Sequence, residues 1–149
     1  MRNVTDPTTL RVADLVPHGG AMCLLERVLS WDEDAVHLAT RSHLDPGHPL
    51  RRDGHLDPVH LCEYGAQAMA VHGGLLAHRD GGRATPGVLV SLRDVWLEAG
   101  SVDACKGELD VSARRVFGDA SGWQYEFAVR HGGRLLASGR AIVALRSGA

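Results

Sequence analysis

The stretch DGHLDPVHLCEYGAQAMA, residues 53–70, decides the fold because it begins a long helix built from small apolar residues. Pro58 stands near its first turn, no proline follows before residue 78, and Ala, Leu, Met and Gln dominate. This is the profile of a helix over about 58–78, with Asp57 as a candidate N-cap. Glycine inside a helix costs about 0.5–1 kcal/mol relative to alanine. Gly65, Gly73 and Gly74 therefore predict strands that approach this helix closely.

Glu63 is the anomaly of this helix. Burying a carboxylate costs several kcal/mol unless the group is paired or neutralised. On a helix, His60 and Gln67 fall on the same side as Glu63, and such a polar stripe is most often a solvated face. Neighbours such as Leu61 and Tyr64 leave no broad solvated face here. We therefore interpret Glu63 as a functional carboxylate.

The segments on either side of this helix have the two-residue period of β-strands. Residues 22–31 and 35–43 flank an acidic turn at 32–34 and predict a hairpin, with Val36, Leu38 and Thr40 on one face. After the helix, strand patterns bounded by glycine-rich turns cover residues 87–98, 107–116, 123–130 and 135–145. We expect these four strands to form an antiparallel meander, and the Gly132-Gly133 pair to form its last tight turn. The pattern predicts an α+β fold in which an antiparallel sheet wraps around the helix.

Composition limits the number of domains, the partners and the cellular compartment that we expect. The 149 residues predict a single domain over 1–149, and the 44% hydrophobic content is enough for one core. A net charge of −2 gives no reason to expect nucleic acid as a partner. We expect a cytoplasmic protein with no membrane span, because no signal-like N-terminus or long apolar run is present. Three widely spaced cysteines suit neither a disulfide framework nor a zinc site.

A second candidate feature is LVPHGGAMCLLERVLSW, residues 15–31. By itself the Pro-His-Gly-Gly element within it is a turn leading into a strand. Beside Glu63, however, His18 offers an imidazole that can remove and return protons near neutral pH.

These two stretches resemble the hot-dog-fold 3-hydroxyacyl-[acyl-carrier-protein] dehydratases. LVPHGGAMCLLERVLS is similar to their N-terminal motif, which often contains Leu-Pro-His, and CEYGAQAMAVHGG is similar to their central helix. The sequence is most similar to the divergent branch of aryl-polyene biosynthesis clusters, because Asp53-Gly54 lies ten positions before the helix acid. The resemblance covers about residues 18–145. It implies a hot-dog fold, edge-to-edge pairing as a homodimer or as a heterodimer with a related protein, and no cofactor. It also implies an acyl chain on acyl carrier protein or CoA as substrate.

The resemblance also implies roles for particular residues. Glu63 matches the helix acid, and Gln67 matches the glutamine that supports it at the substrate. The main branch carries its catalytic histidine in a Gly-His-Phe-Pro element, where this chain has Gly-His-Pro around His48, one position out of register. The divergent branch keeps the histidine of the Leu-Pro-His element instead. We therefore expect His18 to act with Glu63, with His48 and then His55 as alternates.

Other chemistries are less well supported by the residues. Histidines and aspartates crowd residues 43–60, but their spacings match no metal-ligand motif, so we expect no metal. Cys62 is on a different helical face from Glu63, and no Gly-x-Ser-x-Gly element is present. The open functions are a dehydratase of 3-hydroxyacyl thioesters, a thioesterase in which Glu63 activates water, and a catalytically silent acyl-binding partner subunit.

Overall fold

The structure is a computed structural model that describes residues 11–15, 20–82, 87–100 and 102–145. Its helices are α1 (Val12–Leu15) and α2 (Leu61–Arg79), and its strands are β1 (Arg27–Trp31), β2 (Ala35–Thr40), β3 (Gly87–Leu97), β4 (Leu109–Asp119), β5 (Gly122–His131) and β6 (Arg134–Leu145). Single 3-10 turns cover Gly20–Met22, Ser42–Leu44, Pro58–His60 and Val102–Ala104. None of the helices described is long and apolar enough to cross a membrane.

The six strands form one antiparallel sheet in the order β1-β2-β4-β5-β6-β3. The predicted hairpin is present, and Val36, Leu38 and Thr40 of β2 are all fully buried. The expected four-stranded meander is wrong in one respect, because only β4, β5 and β6 are consecutive neighbours. β3 instead lies at the far edge beside β6. Alternation within a strand identifies the buried face of that strand, but it carries no information about the neighbouring strand.

Helix α2 is enclosed by this sheet, as its composition predicts. Twelve of its residues are buried, and it contacts β2, β4, β5 and β6. A Cβ atom at Gly65 would overlap the ring of Phe127 on β5, and one at Gly74 would lie 3.0 Å from the Leu15 carbonyl oxygen. Glycine is therefore required where the strand and α1 approach the helix most closely, which compensates for its low helix propensity.

The local signals at turns and caps are confirmed. Asp57 precedes the 3-10 turn that leads into α2, and its side chain accepts a hydrogen bond from the Val59 N–H at 2.9 Å. Gly132 and Gly133 both have positive φ angles, of 57° and 82°, at the β5–β6 turn. The segment between Leu44 and Pro58 forms neither a strand nor an α-helix, as its Pro, Gly and Asp content predicts.

Candidate functional site

Glu63 is held by Gln67, its neighbour one helical turn along α2. Glu63 is partly buried, and its Oε1 accepts a hydrogen bond from Gln67 Nε2 at 3.1 Å. The fully buried Gln67 also donates to the Met22 carbonyl oxygen at 2.6 Å and accepts from the Leu24 N–H at 2.9 Å. These three bonds fix the orientation of the amide, since its oxygen faces a donor and its nitrogen faces two acceptors. Gln67 and Glu63, which helical spacing puts on one face, are thus joined by a hydrogen bond.

The same contacts explain why β1 is shorter than expected. Its predicted first residues include Leu24, whose N–H is bonded to Gln67 and whose carbonyl accepts from the Thr40 hydroxyl at 2.6 Å. Two side chains thereby satisfy backbone groups that a neighbouring strand would otherwise pair, and the strand begins only at Arg27. Thr40 and Leu24 are parts of the site that sequence reasoning missed, because a side chain that bonds backbone leaves no periodic signal.

His48 lies in a hydrogen-bonded chain with Tyr64 and Ser42. It is 4% exposed, and its Nδ1 accepts a hydrogen bond from the Leu50 N–H at 3.1 Å. Its Nε2 lies 2.9 Å from the Tyr64 hydroxyl, which in turn lies 2.8 Å from Ser42 Oγ. Burial lowers the pKa of His48, with the nearby charge of Arg51 adding to the effect, and burial raises the pKa of Tyr64 to about 12. His48 is therefore a neutral imidazole with both nitrogens occupied.

The other candidate histidines do not belong to this buried hydrogen-bonded chain in the part of the protein that the structure describes. His18 lies outside the described residues. His55 is on an exposed turn of the loop before α2, with its Nδ1 3.5 Å from Asp103 Oδ2, and His60 immediately precedes α2 and is partly buried. The structure therefore brings Gln67 to Glu63, and it places His48 on Tyr64, the residue that follows Glu63 on the helix.

The loop between β2 and α2 is fixed by the guanidinium of Arg51. Arg51 forms an ion pair with Asp103, and it donates to the His43 carbonyl at 2.6 Å and to the Gly54 carbonyl at 3.1 Å. Asp103 also accepts from the Leu56 N–H at 3.2 Å. Because the Arg51 side chain is only 13% exposed, this charge-assisted cluster is partly desolvated and sets the path of the loop. Sequence reasoning missed this pair, whose members are far apart along the chain.

Two further buried histidines have structural partners. His72 Nε2 donates to the Asp32 carbonyl oxygen at 2.9 Å, so its Nδ1 accepts from the Tyr125 hydroxyl at 2.7 Å. His43 Nε2 lies 2.8 Å from the Cys105 carbonyl oxygen. Burial lowers the pKa of both imidazoles. In the part of the chain that the structure describes, no three His, Cys, Asp or Glu side chains are grouped so that they could hold a metal ion.

The cysteines are unpaired thiols. Cys105 is buried, whereas Cys23 and Cys62 are partly buried and pack against the core. Burial raises the pKa of each thiol, which disfavours the nucleophilic thiolate. Cys62 is thus a packing residue rather than a nucleophile.

Strand β3 is a sheet edge with an apolar surface. Within the described residues it pairs with β6 alone. Its large exposed apolar residues are Val88, Leu89, Val90, Leu92, Val95 and Trp96. Val90 is 60% exposed, which is unusual for an aliphatic residue in the middle of a strand. An edge with unpaired backbone groups and apolar side chains is the type of surface that a second sheet can extend.

A long helix enclosed by one antiparallel sheet, with a polar site at the start of the helix, defines a hot-dog-fold protein. The family model described as ApeP-like, ApeP dehydratase, matches residues 10–146. The chain therefore belongs to the ApeP-like dehydratase family. No curated protein sequence matches the chain significantly.

Solved structures agree on the fold. The dehydratase heterocomplex ApeI:P from Xenorhabdus doucetiae contains a chain of 24% identity that superposes with a TM-score of 0.80, covering 93% of this chain and 92% of that one. AziG from S. sahachiroi is 23% identical with a TM-score of 0.60, over 89% of this chain and 99% of that one. A hypothetical thioesterase protein with coenzyme A from Streptococcus pneumoniae TIGR4 is 14% identical with a TM-score of 0.57, over 80% and 84%. At these identities the likeness concerns the fold alone.

Proposed function

We propose that the chain acts on 3-hydroxyacyl thioesters of acyl carrier protein or CoA and eliminates water from them, with Glu63 and His18 as the acid-base pair. The observation that carries this proposal is the position of Glu63. It is a partly buried carboxylate at the start of the central helix, held by the amide of a fully buried Gln67. A side chain fixed by such a partner is already oriented for proton transfer.

The elimination requires three contributions. A base removes the proton from C2, the C3–O bond breaks, and an acid donates a proton to the departing hydroxyl, which leaves as water while the C2–C3 double bond forms. Hydrogen-bond donors stabilise the thioester oxygen as it gains enolate character. Of Glu63 and the histidine, the one that starts deprotonated takes the C2 proton, and the one that starts protonated gives its proton to the departing hydroxyl. A proton then passes back between the two side chains and restores both.

His18 is our first choice for the imidazole because His48 already has partners. Both ring nitrogens of His48 are occupied by Leu50 and Tyr64, so proton transfer at His48 would require one of these bonds to break. His48 remains the alternate to His18, since hydrogen bonds can rearrange when substrate enters. His55 follows as the second alternate.

We further propose that the chain pairs edge to edge through β3, as a homodimer or with a related hot-dog protein. The exposed apolar residues of β3 support this edge as the interface. The heterodimer is supported by the similarity to a dehydratase heterocomplex. A reducing, cytoplasmic location suits the three unpaired cysteines.

A second function follows from the same observations. If the partner subunit supplies the chemistry, this chain is a catalytically silent acyl-binding subunit that stabilises the pair. The occupied nitrogens of His48 favour this candidate, because the histidine nearest to the main-branch position is engaged within the fold. A thioesterase in which Glu63 activates water is the third candidate.

One experiment distinguishes the dehydratase, the silent subunit and the thioesterase. The purified protein is incubated with a 3-hydroxyacyl carrier protein, and the acyl chain is followed by mass spectrometry. We expect the loss of one water in the wild type and none in Glu63→Gln, which keeps the hydrogen bond of Gln67 to Oε1. An intact acyl chain in the wild type would refute the dehydratase and support the silent subunit, whereas released free acid would support the thioesterase.

A further inference from the structure

A recess of about 580 Å³ opens between the segment that enters β1 and the loop that follows β2. Leu24, Glu26, Arg41, Ser42 and His48 are among the residues that line it. Cavities that bind small molecules or their parts are typically of about 300–1,000 Å³. Of its polar side chains, only His48 has a role in the proposal above, as the alternate to His18.

The hydrogen atoms around Ser42 can be placed from the heavy atoms. Because the Leu50 N–H donates to His48 Nδ1, the proton of this neutral imidazole is on Nε2 and is donated to the Tyr64 hydroxyl oxygen. We assign the Tyr64 O–H as the donor to Ser42 Oγ, the other polar atom within hydrogen-bond distance of this hydroxyl. The Ser42 hydroxyl hydrogen has no acceptor among the residues that the structure describes. Within the described residues, the chain His48–Tyr64–Ser42 thus ends in a hydroxyl donor, and Ser42 lines the recess.

Glu26 supplies an acceptor at the same wall. Its Oε1 accepts from the Arg41 N–H and lies 3.4 Å from Thr40 Oγ1. Its Oε2 has no hydrogen-bond donor among the described residues. Thr40 Oγ1 also accepts from the Ser42 N–H at 3.1 Å. Ser42 and Glu26 therefore both contact Thr40 Oγ1, through a backbone N–H and a carboxylate oxygen, and both line the recess.

The recess is also connected to the helix acid. The Leu24 carbonyl is bonded to Thr40, and the Leu24 N–H is bonded to Gln67, which holds Glu63. A single peptide segment thus separates the polar wall of the recess from the support of Glu63. Leu24 both lines the recess and bonds the side chain that holds Glu63, so the recess lies next to the helix acid.

We propose that the recess binds a hydroxyl group of the acyl chain, with Ser42 donating to its oxygen and Glu26 accepting its hydrogen. The inference rests on the proposed function, because it takes an acyl chain as the ligand. A hydroxyl both accepts and donates, a ketone only accepts, and a methylene does neither. Of these three groups, only a hydroxyl can bond to both Ser42 and Glu26 in these roles. Tyr64 and His48 are positioning residues that act through Ser42.

The test measures binding apart from turnover. Pantetheine amides of hexanoate, 3-hydroxyhexanoate, 6-hydroxyhexanoate and 3-oxohexanoate are titrated calorimetrically, because an amide has a much less acidic C2 proton than a thioester. We expect at least one hydroxy analogue to bind about tenfold more tightly than hexanoyl pantetheine amide, the size expected for two net hydrogen bonds. The hydroxy analogue that gains affinity identifies whether the hydroxyl is at C3 or at the far end of the chain.

Two variants assign the contacts. Ser42→Ala should abolish the advantage of the hydroxy analogue, while Glu26→Gln, which keeps an oxygen for the Arg41 N–H, should reduce it about threefold to fivefold. The matched control is Ser112→Ala, a partly buried serine on the face of the sheet away from the helix. Ser112→Ala should leave the affinities unchanged. Circular dichroism confirms that each variant is folded.

The outcomes separate this inference from the proposed function. If neither hydroxy analogue binds more tightly than the hexanoyl amide, or if the advantage survives Ser42→Ala, the recess is not a hydroxyl site. A protein that binds through Ser42 but removes no water supports the inference and refutes the dehydratase. A protein that removes water, but whose affinity for the hydroxy analogues does not change in Ser42→Ala or Glu26→Gln, refutes the inference and supports the dehydratase.

Discussion

The amide nitrogen of Gln67 lies 3.1 Å from Glu63 Oε1, and the oxygen of the same amide accepts the Leu24 N–H. One side chain therefore joins the central helix to the segment before β1 and orients the helix carboxylate at the same time. Stability and the geometry of the site depend on the same three hydrogen bonds, so one substitution should change both.

Gln67→Met tests this coupling. Methionine has a similar volume but leaves the buried Leu24 N–H and Met22 carbonyl without partners, which should lower the free energy of unfolding by about 1–3 kcal/mol. It should also decrease water elimination, because Glu63 loses its orienting donor. Urea denaturation and the mass-spectrometric assay measure the two effects. Gln124→Met on β5, a partly buried glutamine, is the control, and full activity in Gln67→Met would show that Glu63 needs no support.

Gly65→Ala should destabilise the protein although alanine favours a helix. The added Cβ would overlap the Phe127 ring, and overpacking of this kind costs about 1–3 kcal/mol, against a gain of about 1 kcal/mol in helix propensity. Thermal denaturation should show a lower melting temperature, and Phe127→Leu should restore part of it by removing the ring. Gly82→Ala, where a Cβ would have its nearest contact at 3.9 Å, is the control. Equal effects at Gly65 and Gly82 would contradict the packing argument.

The helix was predictable from sequence because its signals are local. Pro58, Asp57 and the glycines influence the backbone only within a few residues of their own positions. The structure places each of them as expected. The position of β3 was not predictable, because strand order depends on which edges meet in three dimensions. The expected meander failed there and nowhere else among the last four strands.

The candidate site likewise contains one contact that the sequence predicts and others that it does not. The Glu63–Gln67 pair follows from helical spacing, and the structure confirms the contact. The Arg51–Asp103 pair and the bond between Thr40 and the Leu24 carbonyl join residues that only the folded chain brings together. A single sequence contains no pattern for such contacts, since a side chain that bonds to distant backbone or charge has no fixed spacing.

The two leading histidines should differ in their effect on turnover. His18→Ala should lower the rate of water elimination by about 10²–10⁴-fold if His18 is the acid-base partner. His48→Ala should cost much less in rate, but it should lower stability because the Tyr64 hydroxyl loses its hydrogen-bond donor. Rates measured at saturating substrate, together with urea denaturation, separate the two effects. The reverse order of rates would make His48 the partner of Glu63.

The apolar edge should determine the oligomeric state. Val90→Lys places a charge on the exposed middle of β3 and should dissociate an assembly that pairs there, because the ammonium would be desolvated in the interface. Sedimentation or light scattering after size exclusion measures the mass. Leu29→Lys is the matched control, since Leu29 is 48% exposed on β1 at the opposite edge of the sheet. Dissociation by Leu29→Lys but not by Val90→Lys would place the interface at β1.

Three buried histidines should make the fold sensitive to mild acid. Burial lowers the pKa values of His43, His48 and His72, so the unfolded chain takes up these protons at a higher pH than the folded chain does. The stability that they contribute is therefore present above the unfolded pKa of about 6.5 and is lost as the pH falls below it. Each histidine should contribute up to about 1.4 kcal/mol per pH unit.

Urea denaturation at pH 7.5 and pH 5.5 measures this slope. His72→Gln should make the dependence on pH shallower, even if it lowers stability at both values, because one proton-binding group is removed. His37→Gln is the control, since His37 is exposed on β2. A slope that is unchanged in His72→Gln would mean that His72 does not titrate differently in the folded and unfolded chains.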